Sequence, residues 1–435
     1  MAEQTKQDLK ELSTALLALD DMLISCMRCG FCMSVCPVYG VTMREADVTR
    51  GKITLLENLA RHMIDDPEAV NEKLNRCLLC GSCQSNCPSG VKIMDIFLRA
   101  RSIVARYLGL TPVQKLIFRG MLVRPKLFNA LLDLSGKFQK LFIKDASRVV
   151  GTSCAPLFAG IIGDRHFPAL AKKSFHSKMP SLDTAPGVSG LRVAFFPGCV
   201  SDKIFPGVPE AVLRIMEHHG VGVFMPADQS CCGIPALASG DRQTYDRLVR
   251  DNLRLFAQGG FDYFLTPCAT CSATIKEIWP KLMEGYSPAE QMRIRDLQDQ
   301  VMDVSQFLVD VLNVSLPERA EGGKRVTYHD SCHLKKSLGV AAQPRAILKG
   351  LPGYAFVEMP EADRCCGSGG SFTLYHYGLS KEIGKRKRDN IVSVSPDLVA
   401  AGCPACMMQI MDSLSRNNDD IPVRHVAELY AETLK

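Results

Sequence analysis

No stretch of this 435-residue chain reaches the roughly 18 consecutive apolar residues that a membrane-spanning helix requires. The nearest, Val149 to Gly163, is shorter and is interrupted by Thr152, Ser153 and Pro156. The chain is therefore expected to be soluble or peripheral to a membrane. An apolar signal core is also missing: Met1-Ala2-Glu3-Gln4-Thr5-Lys6 leads into a polar, mixed-charge segment, so export and a secreted disulfide scaffold are not expected. Charge of one sign is in short supply. With 52 Lys and Arg against 46 Asp and Glu, the net charge is +6, and no RNA- or DNA-reading motif gathers the basic residues, which argues against a nucleic-acid partner. A dinucleotide loop is incomplete as well. Gly367-Ser368-Gly369-Gly370 precedes a helical pattern, but the third glycine of the fingerprint and its supporting acidic residue are not evident.

Cysteine, by contrast, is abundant, with 19 residues. In a reducing cytoplasmic setting, clustered cysteines at short regular spacings are metal ligands far more often than disulfides. The length implies two or three domains, and an apolar share of 46% with 23% charged residues is that of ordinary globular proteins.

Cys26, Cys29, Cys32 and Cys36 form C-x2-C-x2-C-x3-C followed by Pro37, and the motif recurs as Cys77, Cys80, Cys83, Cys87 and Pro88. Three cysteines on a tight loop wrap three corners of a [4Fe-4S] cubane, and the fourth, before proline, turns to the other cluster. One cluster is thus assigned to Cys26, Cys29, Cys32 and Cys87, and a second to Cys77, Cys80, Cys83 and Cys36. Zinc knuckles fit poorly, because zinc sites take two pairs of ligands and not a run of four ending in proline. Between the motifs, Ile53, Leu56, Leu59, Ala60 and Met63 recur at helical spacing, so residues 1–110 read as an α-helical two-cluster ferredoxin domain.

Residues 111–190 read as basic amphipathic helices and a linker. From Arg99 to Arg148 there are eleven Lys or Arg against two acids, Asp133 and Asp145, a face suited either to solvent or to an acidic partner or membrane headgroups. The part from about Gly151 to Gly190 reads as an extended connection, with Cys154 an isolated buried thiol.

The remainder is an internal repeat, 191–320 and 321–435. Strand-like segments at 191–196, 221–224 and 261–265 in the first copy match 325–328, 354–357 and 397–400 in the second. The first copy carries Cys199, Cys231, Cys232, Cys268 and Cys271; the second carries Cys332, Cys365, Cys366, Cys403 and Cys406, each 133 to 135 positions later. Even the tails agree, 303–308 with 424–429. Strands alternating with helices imply an α/β domain of two pseudo-repeated βαβ-type units with a parallel sheet each, and cysteines at strand ends lie where such sheets bind ligands. Five thiols exceed what a cubane needs, and an adjacent Cys-Cys pair does not readily address two corners of one cube. The sites therefore hold an unusual cluster or a cubane with a spare thiol able to do disulfide chemistry. Gly233 and the glycines after Cys366 are read as letting backbone amides approach sulfide, and His333, beside Cys332, is a candidate proton donor.

The pattern Cys-x31-Cys-Cys-Gly-x34-Cys-x2-Cys, repeated after a two-cluster ferredoxin motif, resembles the CCG-domain family over nearly the whole chain. That family includes heterodisulfide reductase catalytic subunits, the anaerobic glycerol-3-phosphate dehydrogenase electron-transfer subunit, and the iron–sulfur subunits of glycolate oxidase and lactate dehydrogenase. The resemblance implies one noncubane [4Fe-4S] cluster on each complete five-cysteine set. Arg50-Gly51-Lys52-Ile53, Cys87-Pro88-Ser89-Gly90-Val91 and Leu122-Val123-Arg124-Pro125-Lys126-Leu127-Phe128 look most like the glycolate oxidase subunit. The implied role is an electron-transfer subunit that takes electrons from a separate FAD-containing 2-hydroxy acid dehydrogenase and passes them toward a quinone or other carrier, in the cytoplasm or on the inner face of its membrane. Both five-cysteine sets are complete, whereas some glycolate oxidase subunits lack cysteines there. That departure keeps open a heterodisulfide reductase-like enzyme, and a scaffold binding structural zinc is a third alternative.

Overall fold

The computed structural model describes residues 2–156, 160, 163–316 and 322–434. The expected junction between the copies, at 320/321, and part of the 149–163 apolar run lie outside the described residues. The chain forms two compact units, each assembled from three separate stretches: one from residues up to 120 with 233–247 and 367–383, the other from 121–232, 248–366 and 384 onward.

The first unit is helical. The helix Thr49–Ala60 buries Ile53, Leu56, Leu59 and Ala60, and the helix Ile93–Leu108 buries Ile96, Phe97, Ala100 and Val104, which is the period a one-sided helix needs. A third helix, Pro67–Asn75, starts sharply: the Asp66 carboxylate accepts from the Ala69 N–H at 2.8 Å, and Pro67 occupies the first turn, where no N–H is needed. The Cys26–Cys36 loop precedes the first of these helices, and the Cys77–Cys87 loop joins Pro67–Asn75 to Ile93–Leu108.

The second unit is α/β. Strands β1 (Lys144–Ser147), β2 (Thr152–Cys154) and β3 (Phe167–Pro168) make a small antiparallel sheet. Strands β4 (Leu182–Asp183), β5 (Arg192–Phe195), β6 (Gly222–Met225), β7 (Tyr263–Thr266) and β8 (Val301–Asp303) form a sheet of order β4-β6-β5-β7-β8. Strands β9 (Lys324–His329), β10 (Tyr354–Phe356), β11 (Leu398–Ala401) and β12 (Val423–His425) form a second, of order β10-β9-β11-β12. All pairs in these two sheets are parallel except β4 with β6. The registers correspond, Phe195 opposite Leu265 and Tyr328 opposite Ala400.

The connection expected to be merely extended thus holds β2, β3, a short helix Phe175–Lys178 and β4, so the first sheet is mixed and not purely parallel. A fourth parallel strand per copy, β8 or β12, also went unforeseen. At three residues each, these strands are too short to display a period. The copies share one core, in which Val193, Phe195 and Leu265 of the first join Val326, Tyr328 and Leu398 of the second. Across it the His219 ring meets the Tyr430 hydroxyl at 3.0 Å.

Phe264 is fully buried among Phe196, Phe256 and Phe261, with the Phe256 ring 4.7 Å away. Truncating Phe264→Ala is expected to destabilise the fold by about 3–5 kcal/mol, read as a lower denaturant midpoint at unchanged slope.

Candidate metal centres

The two N-terminal loops adopt the same backbone. Arg28 and Leu79, each two residues after the first cysteine of its motif, have φ of +56° and +53°, and Gly30 and Gly81 follow with +87° and +71°. Left-handed residues at short intervals turn successive N–H groups into the concave side of a loop, a cradle for anionic sulfur. Two such donors already face thiols: Leu79 N–H lies 3.4 Å from Cys77 Sγ and Tyr39 N–H 3.5 Å from Cys36 Sγ. One recess is lined by Cys36, Cys77, Cys80 and Cys83, and another by Cys26, Cys29, Cys32 and Cys87, with Cys83 lining both. Burial pushes the Cys36 thiol up to about 12 and lifts Cys83 well above the ordinary range, with neighbouring sulfurs adding to both.

Two buried cations stand beside the Cys77 loop. Lys52 donates from Nζ to the Asp47 carbonyl, and Cys77 and Cys36 are the acidic groups that act on it most strongly. Arg101 donates to the carbonyls of Leu74 at 2.6 Å, Cys77 at 2.8 Å and Ala238 at 2.8 Å.

In the second unit the cysteines sit beyond the carboxyl ends of parallel strands. In the first copy Cys199 follows β5, Cys231 and Cys232 follow β6, and Cys268 and Cys271 follow β7. The sulfurs of Cys199 and Cys231 are 3.9 Å apart; they share a proton, which lowers the Cys199 thiol and raises Cys231. Cys271 is raised mainly by hydrogen bonding with Cys232. The loop backbone is pinned by Asn252 Nδ2 on the Cys231 carbonyl at 3.1 Å and Trp279 Nε1 on the Cys232 carbonyl at 3.0 Å. Lys203, buried near Cys199, pairs with Asp202; burial pushes that carboxyl up, but His176 and Lys203 together hold it at about 2.

The second copy repeats the plan, with Cys332 after β9, Cys365 and Cys366 after β10, and Cys403 and Cys406 after β11. Hydrogen bonding with Cys365 and Cys406 lowers the Cys366 thiol well below its ordinary value. Lys387 is buried against the carbonyls of Glu361 at 2.6 Å and Ala362 at 3.1 Å, and its electrostatic neighbours are Cys366, Cys332 and Cys365. The glycine of each Cys-Cys-Gly element has the same left-handed backbone, φ +94° at Gly233 and +93° at Gly367. Conformation is therefore one reason for glycine at both positions.

The two five-thiol sets meet. Cys268 and Cys403 hydrogen-bond across the repeat, Ala269 N–H donates to Gly402 O at 3.2 Å, and Thr270 Oγ1 lies 3.6 Å from Cys403 Sγ. His333 Nδ1 approaches Thr270 Oγ1 at 3.2 Å, so this candidate proton donor stands where the copies join. Cys154 lies half-buried on β2. Sequence reading did not anticipate Lys52, Arg101, Lys203, Lys387 or His329. His329, Cys366 and Cys406 place donor atoms within 4.8 Å of one another. The only sequence signal for His329 was the alignment of the copies, which puts Phe196 at its position.

No disulfide links any of the nineteen cysteines, all of which lie among the described residues. The converging sulfurs, the N–H groups aimed at them and the buried cations beside them fit iron–sulfur clusters, which supply one-electron transfer when bound. A 4Fe-4S dicluster domain matches residues 22–91, and the cysteine-rich CCG domain matches residues 193–276 and 326–411. The chain belongs to the CCG family of iron–sulfur proteins. Its function is electron transfer. This CCG chain is 29% identical over 418 residues to the probable glycolate oxidase iron–sulfur subunit of Bacillus subtilis, spanning 94% of both chains. It is 30% identical to a CoM/CoB fumarate reductase subunit of Methanothermobacter marburgensis, with 94% of this chain and 71% of that protein covered. Lactate utilization protein A of Oceanobacillus iheyensis is 35% identical over 55% of this chain and 96% of its own.

Raised thiols such as Cys36 and Cys83 keep their protons at neutral pH until a metal displaces them, so metal binding releases protons and strengthens as pH rises. Zinc, used as a redox-silent probe of the metal-free CCG chain, is expected to bind more tightly at about pH 8 than at about pH 6. Calorimetry in buffers of different ionisation enthalpy reads the released protons; pH-independent binding contradicts the assignment.

Proposed function

We propose that this chain is the iron–sulfur subunit of a flavin-dependent 2-hydroxy acid dehydrogenase complex, taking electrons from an FAD-containing partner that oxidises lactate or glycolate and passing them toward a quinone or other carrier. In this reading residues 1–110 are the two-cluster ferredoxin domain, 111–190 the basic helices and linker, and 191–320 and 321–435 the two CCG repeats. Two [4Fe-4S] clusters take the exchanged cysteine sets of the first domain, and one or two further clusters of noncubane type take the repeats. The carrying observation is the joining of the two five-thiol sets through Cys268 and Cys403, in a chain that matches glycolate oxidase iron–sulfur subunits along nearly all its length. Affinity capture of the full chain is expected to return an FAD protein that bleaches its iron–sulfur absorbance with lactate or glycolate. Capture of no flavoprotein, or of one inert to both acids, counts against the reading.

Completeness of both five-cysteine sets, with similarity to a CoM/CoB fumarate reductase subunit, favours a second reading as a heterodisulfide reductase-like enzyme. Viologen-driven reduction of a heterodisulfide by the isolated chain would establish it in place of the first.

The membrane side of the proposal rests on the helix Pro125–Phe138. Its buried contact is Gly136, where an added Cβ would lie 2.8 Å from the Ala171 carbonyl, while Leu127, Leu131, Leu134, Phe138, Leu141 and Phe142 face outward. Lys126, Lys137, Lys140 and Lys144 flank them. An apolar stripe edged with lysine suits an anionic bilayer surface. The chain is expected to float with anionic vesicles and not with zwitterionic ones, and Leu131→Glu with Phe138→Glu is expected to abolish flotation. If wild type fails to float, the face meets a protein instead.

A further inference from the structure

We propose that His329 is a nitrogen donor to the metal centre of the second five-cysteine set, which makes the two repeated sites chemically inequivalent. The inference rests on the cluster reading given above. His329 ends β9, is fully buried, and among the described residues neither ring nitrogen has a nitrogen or oxygen partner. An imidazole buried without such a partner loses its hydration for nothing in return. What the ring does face is sulfur, since its donor atom lies within 4.8 Å of those of Cys366 and Cys406.

Neighbouring residues hold the ring in that position. Asp330 is clamped by both terminal nitrogens of Arg345 at 2.8 Å, which fixes the turn from His329 toward Cys332. On the other side β9 pairs with β11, with His329 opposite Ala401, two residues before Cys403. Strand ends on both sides therefore allow the ring little freedom.

The first copy provides an internal comparison. Phe195 and Tyr328 occupy matching register positions, so the residues after them, Phe196 and His329, correspond. Phe196 is buried among the rings of Phe256 and Phe264 and offers no donor. One site thus has five sulfurs, and the other five sulfurs and an imidazole. Where the imidazole takes the place of an anionic sulfur donor on one iron, the negative charge there falls and the reduction potential rises, as histidine does in Rieske centres. The second centre is then the more easily reduced of the pair.

The test uses the full chain, purified anaerobically with its clusters and labelled with 15N-histidine. Pulsed electron paramagnetic resonance across a range of poised potentials is expected to show a strongly coupled 15N nucleus, retained in His333→Gln and lost in His329→Phe, which copies the first repeat. An absorbance-monitored potentiometric titration is expected to show one midpoint shifted downward in His329→Phe and the others unmoved. Failure of that variant to fold leaves the labelled wild type to decide: a coupled 15N supports the donor role, and no coupling in any paramagnetic state overturns it. Coupling or midpoints that persist unchanged in a folded His329→Phe also overturn it. Iron and sulfide analysis of the same sample tests the underlying reading separately. About eight irons per chain would remove the cluster from the repeats altogether, whereas a full complement without nitrogen coupling removes only the role of His329.

Discussion

Ionised sulfur in a protein interior has to be electrically compensated, and the architecture around the cysteines follows from that. Eight of the ten cysteines in the repeats are buried, and several resist ionisation because hydrogen bonds with neighbouring cysteines, and burial after them, favour the protonated form. A cluster puts cationic iron among them, yet the whole assembly remains anionic and needs positive charge or N–H dipoles close by. The chain supplies both. Lys52 and Arg101 stand beside the Cys77 loop, Lys203 beside Cys199, and Lys387 beside Cys366. A buried lysine alone is costly, and a buried thiolate alone is costly; placed together each offsets the other.

The dipolar share of that compensation depends on backbone shape. Matching left-handed residues in the two ferredoxin-type loops, and matching left-handed glycines after both Cys-Cys pairs, show that the repeated sequence motifs repeat a conformation and not only a ligand spacing. Glycine at 233 has a further reason, since a Cβ there would press on the Tyr245 ring at 2.7 Å. Spacing and conformation are therefore selected together.

Much of this was legible in the sequence because it repeats. Two copies of a four-cysteine motif and two of a five-cysteine motif identified the thiols, and alternation of short apolar strands with helices located β5, β6, β7, β9, β10 and β11 to within a residue or two. What escaped lacked a periodic signal. Strands β8 and β12 have three residues each, and β4 has two. The buried cations escaped for a different reason. Lys52 and Lys387 lie in helices rich in other polar residues, where nothing local distinguishes a lysine folded inward onto carbonyls from one in solvent. Tertiary placement alone makes that distinction. Gly136 shows the same limit: the sequence reads as an amphipathic helix without saying which way its apolar stripe faces, and the close approach of glycine to the Ala171 carbonyl leaves Leu127, Leu131, Leu134 and Phe138 outward.

Duplication also explains where the copies were free to differ. Residues that close the loops are shared: both copies keep the Cys-Cys-Gly turn, the C-x2-C element and a capped helix after the last strand. The caps themselves differ. Asp303 accepts from Ser305 N–H at 2.8 Å, while His425 accepts from Ala427 N–H through Nδ1 at 3.1 Å and donates from Nε2 to the Pro267 carbonyl at 2.9 Å. That last bond joins the second copy to the residue before Cys268, and because Nδ1 accepts while Nε2 donates, the His425 ring is the neutral Nε2–H tautomer. The same kind of substitution occurs at Phe196 and His329, at the ends of β5 and β9 nearest the cysteine loops. Once the copies shared one core, each could change a strand-end residue without disturbing the sheet, because the register and the cysteines are held elsewhere. Strand ends beside the thiols are thus the positions at which two sites of common origin acquire different chemistry.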